Sequence, residues 1–274
     1  MIYNDLKMTR VFDVPHGTWH VEIWGKPEDP LILAPVEKKI SSGDQIVHRQ
    51  FEDLQTHYRQ HHGLDLMILK QVHGNGVVHV ACGAGCNDEA PEADAVVSSD
   101  PGVALAIKTA DCIPVLFFHT QSVLFGAIHA GWRGLELEIL RQTLNRPEFL
   151  GDRAKEQTKD KTKEQTSDQT KDQTKDQTKE NLQFVIGPHI GCQNYETGED
   201  VFQKFSMDCS TEIAGSLKRN LDVARILRHQ FTDLGISETR QTWLNENTFG
   251  SPDYFSHRSG EPGRNFNVIF FKGK

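Results

Sequence analysis

The sequence predicts one mixed α/β domain interrupted by a polar loop, and three observations predict it. Short runs rich in β-branched and aromatic residues recur along the chain, punctuated by Gly, Asp and Pro. Between and after them lie stretches whose apolar residues fall at helical spacing. The third observation is a segment that can bury nothing: Lys155 to Glu180 reads KEQTKDKTKEQTSDQTKDQTKDQTKE, a near-perfect tetrapeptide repeat with no apolar residue. At 274 residues and 37% hydrophobic content, the rest of the chain has material for a substantial core.

Taken in order, LMILKQVHGNGVVHV and ADAVVSS read as strands, followed by VALAIKTADCIPVLFFH and VLFGAIHAG. Leu135 to Asn145 (LELEILRQTLN) then carries apolar residues at helical spacing, so HAGWRG becomes a strand-to-helix turn. The repeat follows. Its period of four drifts around a helix of 3.6 residues per turn, and its i,i+4 positions set lysine above lysine. It reads as a solvated insertion, residues 155–180, within one domain spanning residues 1–274. After it come a strand (LQFVIGP), a helix (EDVFQKF), a second helical run (LDVARILRHQFTDLG) and a closing strand (NVIFFK).

Thirty Lys and Arg against 38 Asp and Glu give a net charge of -8, and no basic cluster interleaved with aromatics occurs, which excludes a nucleic-acid footprint. The N-terminal residues carry no apolar core of signal-peptide length, and no run approaches a membrane span. A cytoplasmic protein with small-molecule or protein partners is expected. Five cysteines, an odd set in a long chain, suggest reduced thiols rather than a disulfide framework.

Three residues interrupt apolar strands: His73 in KQVHG, Cys112 in TADC and His129 in AIHAG. Two imidazoles and a thiolate, with a fourth position open, make the composition of a catalytic zinc site. The bland alternative is two hydrogen-bonded core histidines and a small buried cysteine. Against it, functional side chains cluster beside the candidates: Asp111 precedes Cys112, and AGWRG follows His129.

KQVHG, EADAVVS, the TADCIPV run, HAGWRG, GPHIGCQNYETG and HRSGEPGRNFNVI, in this order, resemble the YfiH-like family of laccase-domain, or polyphenol oxidase, proteins. The resemblance runs from about Leu66 to the C-terminus, without the repeat. It implies an α+β fold, a mixed β-sheet sandwich covered by helices in α/β/β/α layers. It also implies that His73, Cys112 and His129 are zinc ligands, and that the reaction is zinc-dependent phosphorolysis of purine nucleosides with phosphate, with adenosine deamination as a second outcome. Bacterial relatives also connect the family with editing of cell-wall precursors. The N-terminal third lacks the Ser-x-Asn-Leu-Gly run usual in the family, whose Asn-Arg pair appears at best as His48-Arg49. Near the C-terminus QTWLNENTF and DYFSHR replace the family's usual segments.

Phosphate needs a cationic partner. Arg133, placed just inside the helix after HAGW, is the first candidate, with a structural ion pair as the alternative. Arg264 and Arg49 are further substrate-binding candidates. Asp111 could orient a ligand imidazole or carry a proton, or serve as a cap or in a buried ion pair. The adjacent His61 and His62 point apart and make a poor chelating pair, Cys82 and Cys86 bracket a loop of free thiols, and Cys192 sits in a turn shaping the pocket floor. A true multicopper laccase is not expected, because the 13 histidines include no His-x-His motif, so copper would be an adventitious substitute for zinc. A non-catalytic zinc protein, with the fourth metal position filled by the chain, is the reading from another class.

Overall fold

A computed structural model describes residues 6–27, 43–80, 90–146, 180–205, 211–213 and 216–274. The repeat except Glu180, the Cys82–Cys86 turn and Cys209 lie outside the described residues. In chain order the first elements are β1 (Leu6–Val14), β2 (Gly17–Trp24), α1 (Gly43–His62), β3 (Asp65–Met67), β4 (Val77–Val80), β5 (Ala95–Ser98) and β6 (Val103–Thr109). They are followed by β7 (Ile113–His119), β8 (Phe125–Ala130), α2 (Trp132–Glu136), α3 (Ile139–Leu144), β9 (Leu182–Ile186) and α4 (Glu199–Phe202). The last are β10 (Thr211–Ile213), β11 (Ser216–Lys218), α5 (Val223–Asp233), β12 (Gln241–Trp243) and β13 (Asn265–Gly273).

Two mixed sheets form the centre. One has the order β1-β2-β13-β6-β3 and the other β12-β9-β7-β8-β5-β4, while β10 and β11 form a separate antiparallel ribbon. The side-chain period of two explains how both sheets are covered on both faces. Along β7, Leu116 and Phe118 face the first sheet, where they join Trp19, Val21, Ile23, Leu105, Ile107 and Ile269. Ile113, Val115 and Phe117 face the other way, against α2, α3 and α5 through Leu135, Ile139, Leu227 and Phe231. On the far side of the first sheet, Leu54 and Tyr58 of α1 cover Trp24, Ala104, Ala106, Phe266 and Phe270. The layers therefore run α/β/β/α, as the resemblance implies. Near-continuous apolar strands such as IPVLFFH are what burial on both faces requires.

Three departures from the sequence reading matter for the site. The run LMILKQVHGNGVVHV is not one strand: β3 ends at Met67 and β4 begins at Val77, and His73 between them has a φ of +59°. The run VALAIKTADCIPVLFFH divides into β6 and β7, which belong to different sheets, and Asp111 at the corner has a φ of +91°. The helix over Leu135–Asn145 is broken as well, because Glu138 takes a φ of +54° between α2 and α3. No helix among the described residues is long and apolar enough to cross a membrane.

Candidate metal centre

The three interruptions of the apolar pattern meet in space. His73 comes from the β3–β4 loop, Cys112 from the β6–β7 corner and His129 from the end of β8, and their ligand atoms all lie within 4.8 Å of one another. The two imidazoles meet edge to face, 4.8 Å between ring centroids. Among the described residues this is the group of three or more His, Cys, Asp and Glu side chains that could hold a metal ion. It is graded in depth, with His73 exposed, Cys112 half-buried and His129 buried, so it opens to solvent on the His73 side.

Asp94, at the start of the strand ADAVVS, is the residue that organises the cluster, and it was not singled out from the sequence. Its carboxylate is fully buried and accepts the His129 Nδ1 hydrogen at 2.8 Å, which leaves Nε2 for a metal. The same carboxylate accepts backbone N–H groups from His73 at 2.9 Å and Gly74 at 2.7 Å, with Val72 at 3.3 Å. One buried anion thus fixes the ring of one ligand and the strained loop that carries another. Although burial opposes ionisation, bonds from His129 and from the loop amides hold Asp94 below the usual carboxylate range.

The charges on the cluster suit a metal ligand set. Burial would push the Cys112 thiol up, yet the charge and hydrogen bonds of His129 and His73 outweigh it and bring it down to about 6. Burial also disfavours a charged His129, but the Cys112 thiolate and the Asp94 carboxylate raise it to about 9. Gly131 gives the cluster room. A Cβ there would stand 3.2 Å from Cys112 Sγ and 3.3 Å from His73 Cδ2, closer than ordinary packing allows.

The remaining expected site residues are distributed differently. Asp111 does not bond a ligand imidazole: its Oδ1 accepts from the Thr248 hydroxyl at 2.7 Å and its Oδ2 from the Arg258 N–H at 2.8 Å. Its carboxylate is bonded to a hydroxyl and a backbone amide, and no cationic side chain pairs with it among the described residues. Arg133 is exposed and its guanidinium stacks on the neighbouring Trp132 ring, 5.1 Å from the centroid. At five residues, α2 is too short to supply much dipole to an anion. Arg264 spends Nη1 on the carbonyls of Gly263 and Pro262, and Arg49 lies exposed on α1. Cys192 is disulfide-bonded, contrary to the reduced thiol expected for it, whereas Cys112 is a free thiol.

A family model described as multi-copper polyphenol oxidoreductase laccase matches residues 34–272. The chain belongs to this laccase-domain, YfiH-like family. A Deinococcus radiodurans relative named purine nucleoside phosphorylase is 31% identical over 212 residues, covering 75% of this chain and 70% of its own. The Escherichia coli relative named purine nucleoside phosphorylase YfiH is 27% identical over 67% of this chain and 66% of its own. Among solved structures, a Neisseria meningitidis protein of the DUF152 family superposes with a TM-score of 0.67 at 23% identity, over 98% of this chain and 100% of the other. Bacillus licheniformis YfiH gives the same TM-score at 19% identity, again over 98% and 100%. These neighbours share the laccase-domain fold. Within that fold, the group among the described residues that could hold a metal is two imidazoles and a thiolate.

Proposed function

We propose that this chain is a zinc-dependent purine nucleoside phosphorylase, acting on adenosine, inosine or methylthioadenosine, with adenosine deamination as a second activity of the same pocket. The observation that carries it is the convergence of His73, Cys112 and His129 within 4.8 Å, in a chain 31% identical to a relative bearing that name. Two imidazoles and a thiolate of lowered pKa fit zinc by ligand type. His73, Cys112 and His129 would hold the ion, which supplies a Lewis-acidic charge beside the substrate when bound.

The protein groups do the rest. Phosphorolysis forms a bond from a phosphate oxygen to C1′ of the ribose and breaks the bond from C1′ to the purine, which leaves with the electron pair and takes up a proton. The chain must therefore hold a phosphate near C1′ and present a positive surface to it. Asp94 keeps His129 and the His73 loop in one geometry, and the Asp111 tie keeps the Cys112 corner in register with the C-terminal segment. Residues 1–274 as one domain with residues 155–180 inserted in it is part of the same proposal.

The test is incubation of zinc-loaded protein with adenosine, inosine or methylthioadenosine and phosphate, with free base, ribose 1-phosphate and inosine measured by chromatography. Formation of base and sugar phosphate is expected. Absence of every product at high enzyme concentration would remove the reading.

A further inference from the structure

A phosphorylase needs a cation for phosphate, and the three arginines expected to supply it have different surroundings. Arg264 is bonded to its own loop carbonyls, Arg49 lies on α1, and Arg133 stacks on Trp132, a ring that Lys204 also overlies. Another arginine is tied to the metal cluster by the backbone itself. The N–H of Arg258 donates to Asp111 Oδ2 at 2.8 Å, and Asp111 is the residue before Cys112.

Asp111 spends both carboxylate oxygens and its carbonyl on this junction. Its Oδ1 takes the buried Thr248 hydroxyl, and its carbonyl accepts the Ile190 N–H at 3.0 Å, fixing the segment that leads to Tyr195. The Tyr195 carbonyl is held in turn by the Leu221 N–H at 3.0 Å. Over the Tyr195 ring lies the Arg258 guanidinium, 4.9 Å from the centroid. Among the described residues no carboxylate pairs with it. A guanidinium held over a ring with no carboxylate partner has N–H groups to offer, in the fork geometry that matches two phosphate oxygens. The holding residue Asp111 is strained at φ +91°, a conformation that persists where the surroundings over-determine it and that clusters at functional sites.

We propose that Arg258 is the phosphate-binding side chain of this site and that Tyr195 is the residue that positions it. The proposal rests on the phosphorylase reading for its substrate. Electrostatics agree with the placement: burial raises Tyr195, the negative charges of Cys112 and Asp111 raise it further, and Arg258 is the cation that offsets them. DYFSHR, one of the segments that departs from the usual family pattern, is thereby the segment that carries the anion ligand.

The experiment compares zinc-loaded wild type with Arg258→Gln, Arg258→Lys, Arg133→Gln, Tyr195→Phe and Tyr195→Ala. It follows inorganic phosphate binding by calorimetry, the KM for phosphate and the zinc content. Loss of a charged, two-pronged hydrogen bond is expected to weaken phosphate roughly 10- to 100-fold in Arg258→Gln, with zinc retained. Arg258→Lys should recover part of the affinity, and Arg133→Gln should have the smaller effect. Tyr195→Phe should match wild type because the ring remains, whereas Tyr195→Ala should raise the phosphate KM without changing the nucleoside KM. A larger effect from Arg133→Gln, equal phosphate binding by Arg258→Gln and wild type, or no phosphate binding by wild type would overturn the proposal. Phosphate binding that depends on Arg258 in a protein without nucleoside turnover would keep this inference and sink the phosphorylase reading instead.

Discussion

At the scale of single residues, the site turns on a buried carboxylate. Asp94 holds an imidazole and three consecutive loop amides, so Asp94→Asn keeps the volume but loses the charge and, at one oxygen, the acceptor. Replacing such an outer partner of a metal ligand weakens metal affinity about 10- to 100-fold. Chelator competition on the variant should show that weakening, and wild-type affinity would mean that the ligand geometry does not depend on Asp94. The three residues that meet were legible from the sequence as interruptions, because a histidine or cysteine at the end of an apolar strand is costly without a partner. Asp94 was not. ADAVVSS reads as a strand with an acid at its head, and nothing in the run says that its partners lie at residues 72–74 and 129. The partners of Asp111 were not legible, since Thr248 and Arg258 are more than a hundred residues away in the chain.

At the scale of elements, the corner between β6 and β7 is the structural hinge of the site, because there the chain passes from one sheet to the other. The Thr248 side of its tie can be tested alone. Thr248 is fully buried, and Thr248→Val keeps its shape while leaving Asp111 Oδ1 without a donor. The expected loss of stability is about 1–3 kcal/mol, read as a lower denaturant midpoint with an unchanged slope. An unchanged midpoint would mean that the tie contributes nothing to folding. Strands buried on both faces were readable as apolar runs, which is why β5 to β9 and β13 were expected. Their breaks were hidden, because His73, Asp111 and Glu138 adopt positive φ without the glycine that usually announces it. The N-terminal elements β1, β2 and α1 were not read at all. Along β2 the polar His20 and Glu22 face α1, where Glu22 accepts the Tyr58 hydroxyl at 2.5 Å, so burial there is carried by polar residues whose partners the local sequence does not show.

At the scale of the molecule, acid stability follows from histidines kept neutral. His20, His57, His62, His119 and His189 are all lowered from the ordinary imidazole value, chiefly by burial, and His62 reaches about 4 with Lys272 adding to the effect. Below about pH 6.5 the unfolded chain binds protons at these positions that the folded chain does not. Stability should therefore fall as the pH drops from about 6.5 towards 4, and for His62 the loss is complete below about 4. His62 packs on Tyr58 and Phe270, so His62→Phe retains a ring while removing the titration. Its melting temperature should decline less steeply over that window, and a slope identical to wild type would place the acid sensitivity elsewhere. A mixed domain of strands and helices was legible from the residue pattern, and the four-layer arrangement through the motif order that resembles the laccase-domain family.

The most direct measurement is zinc content per chain by mass spectrometry, for wild type and Cys112→Ala, run beside nucleoside turnover with phosphate. One zinc per chain and formation of ribose 1-phosphate are expected in wild type, with both lost in the variant. Turnover that survives the loss of zinc would contradict a metal-centred site at His73, Cys112 and His129.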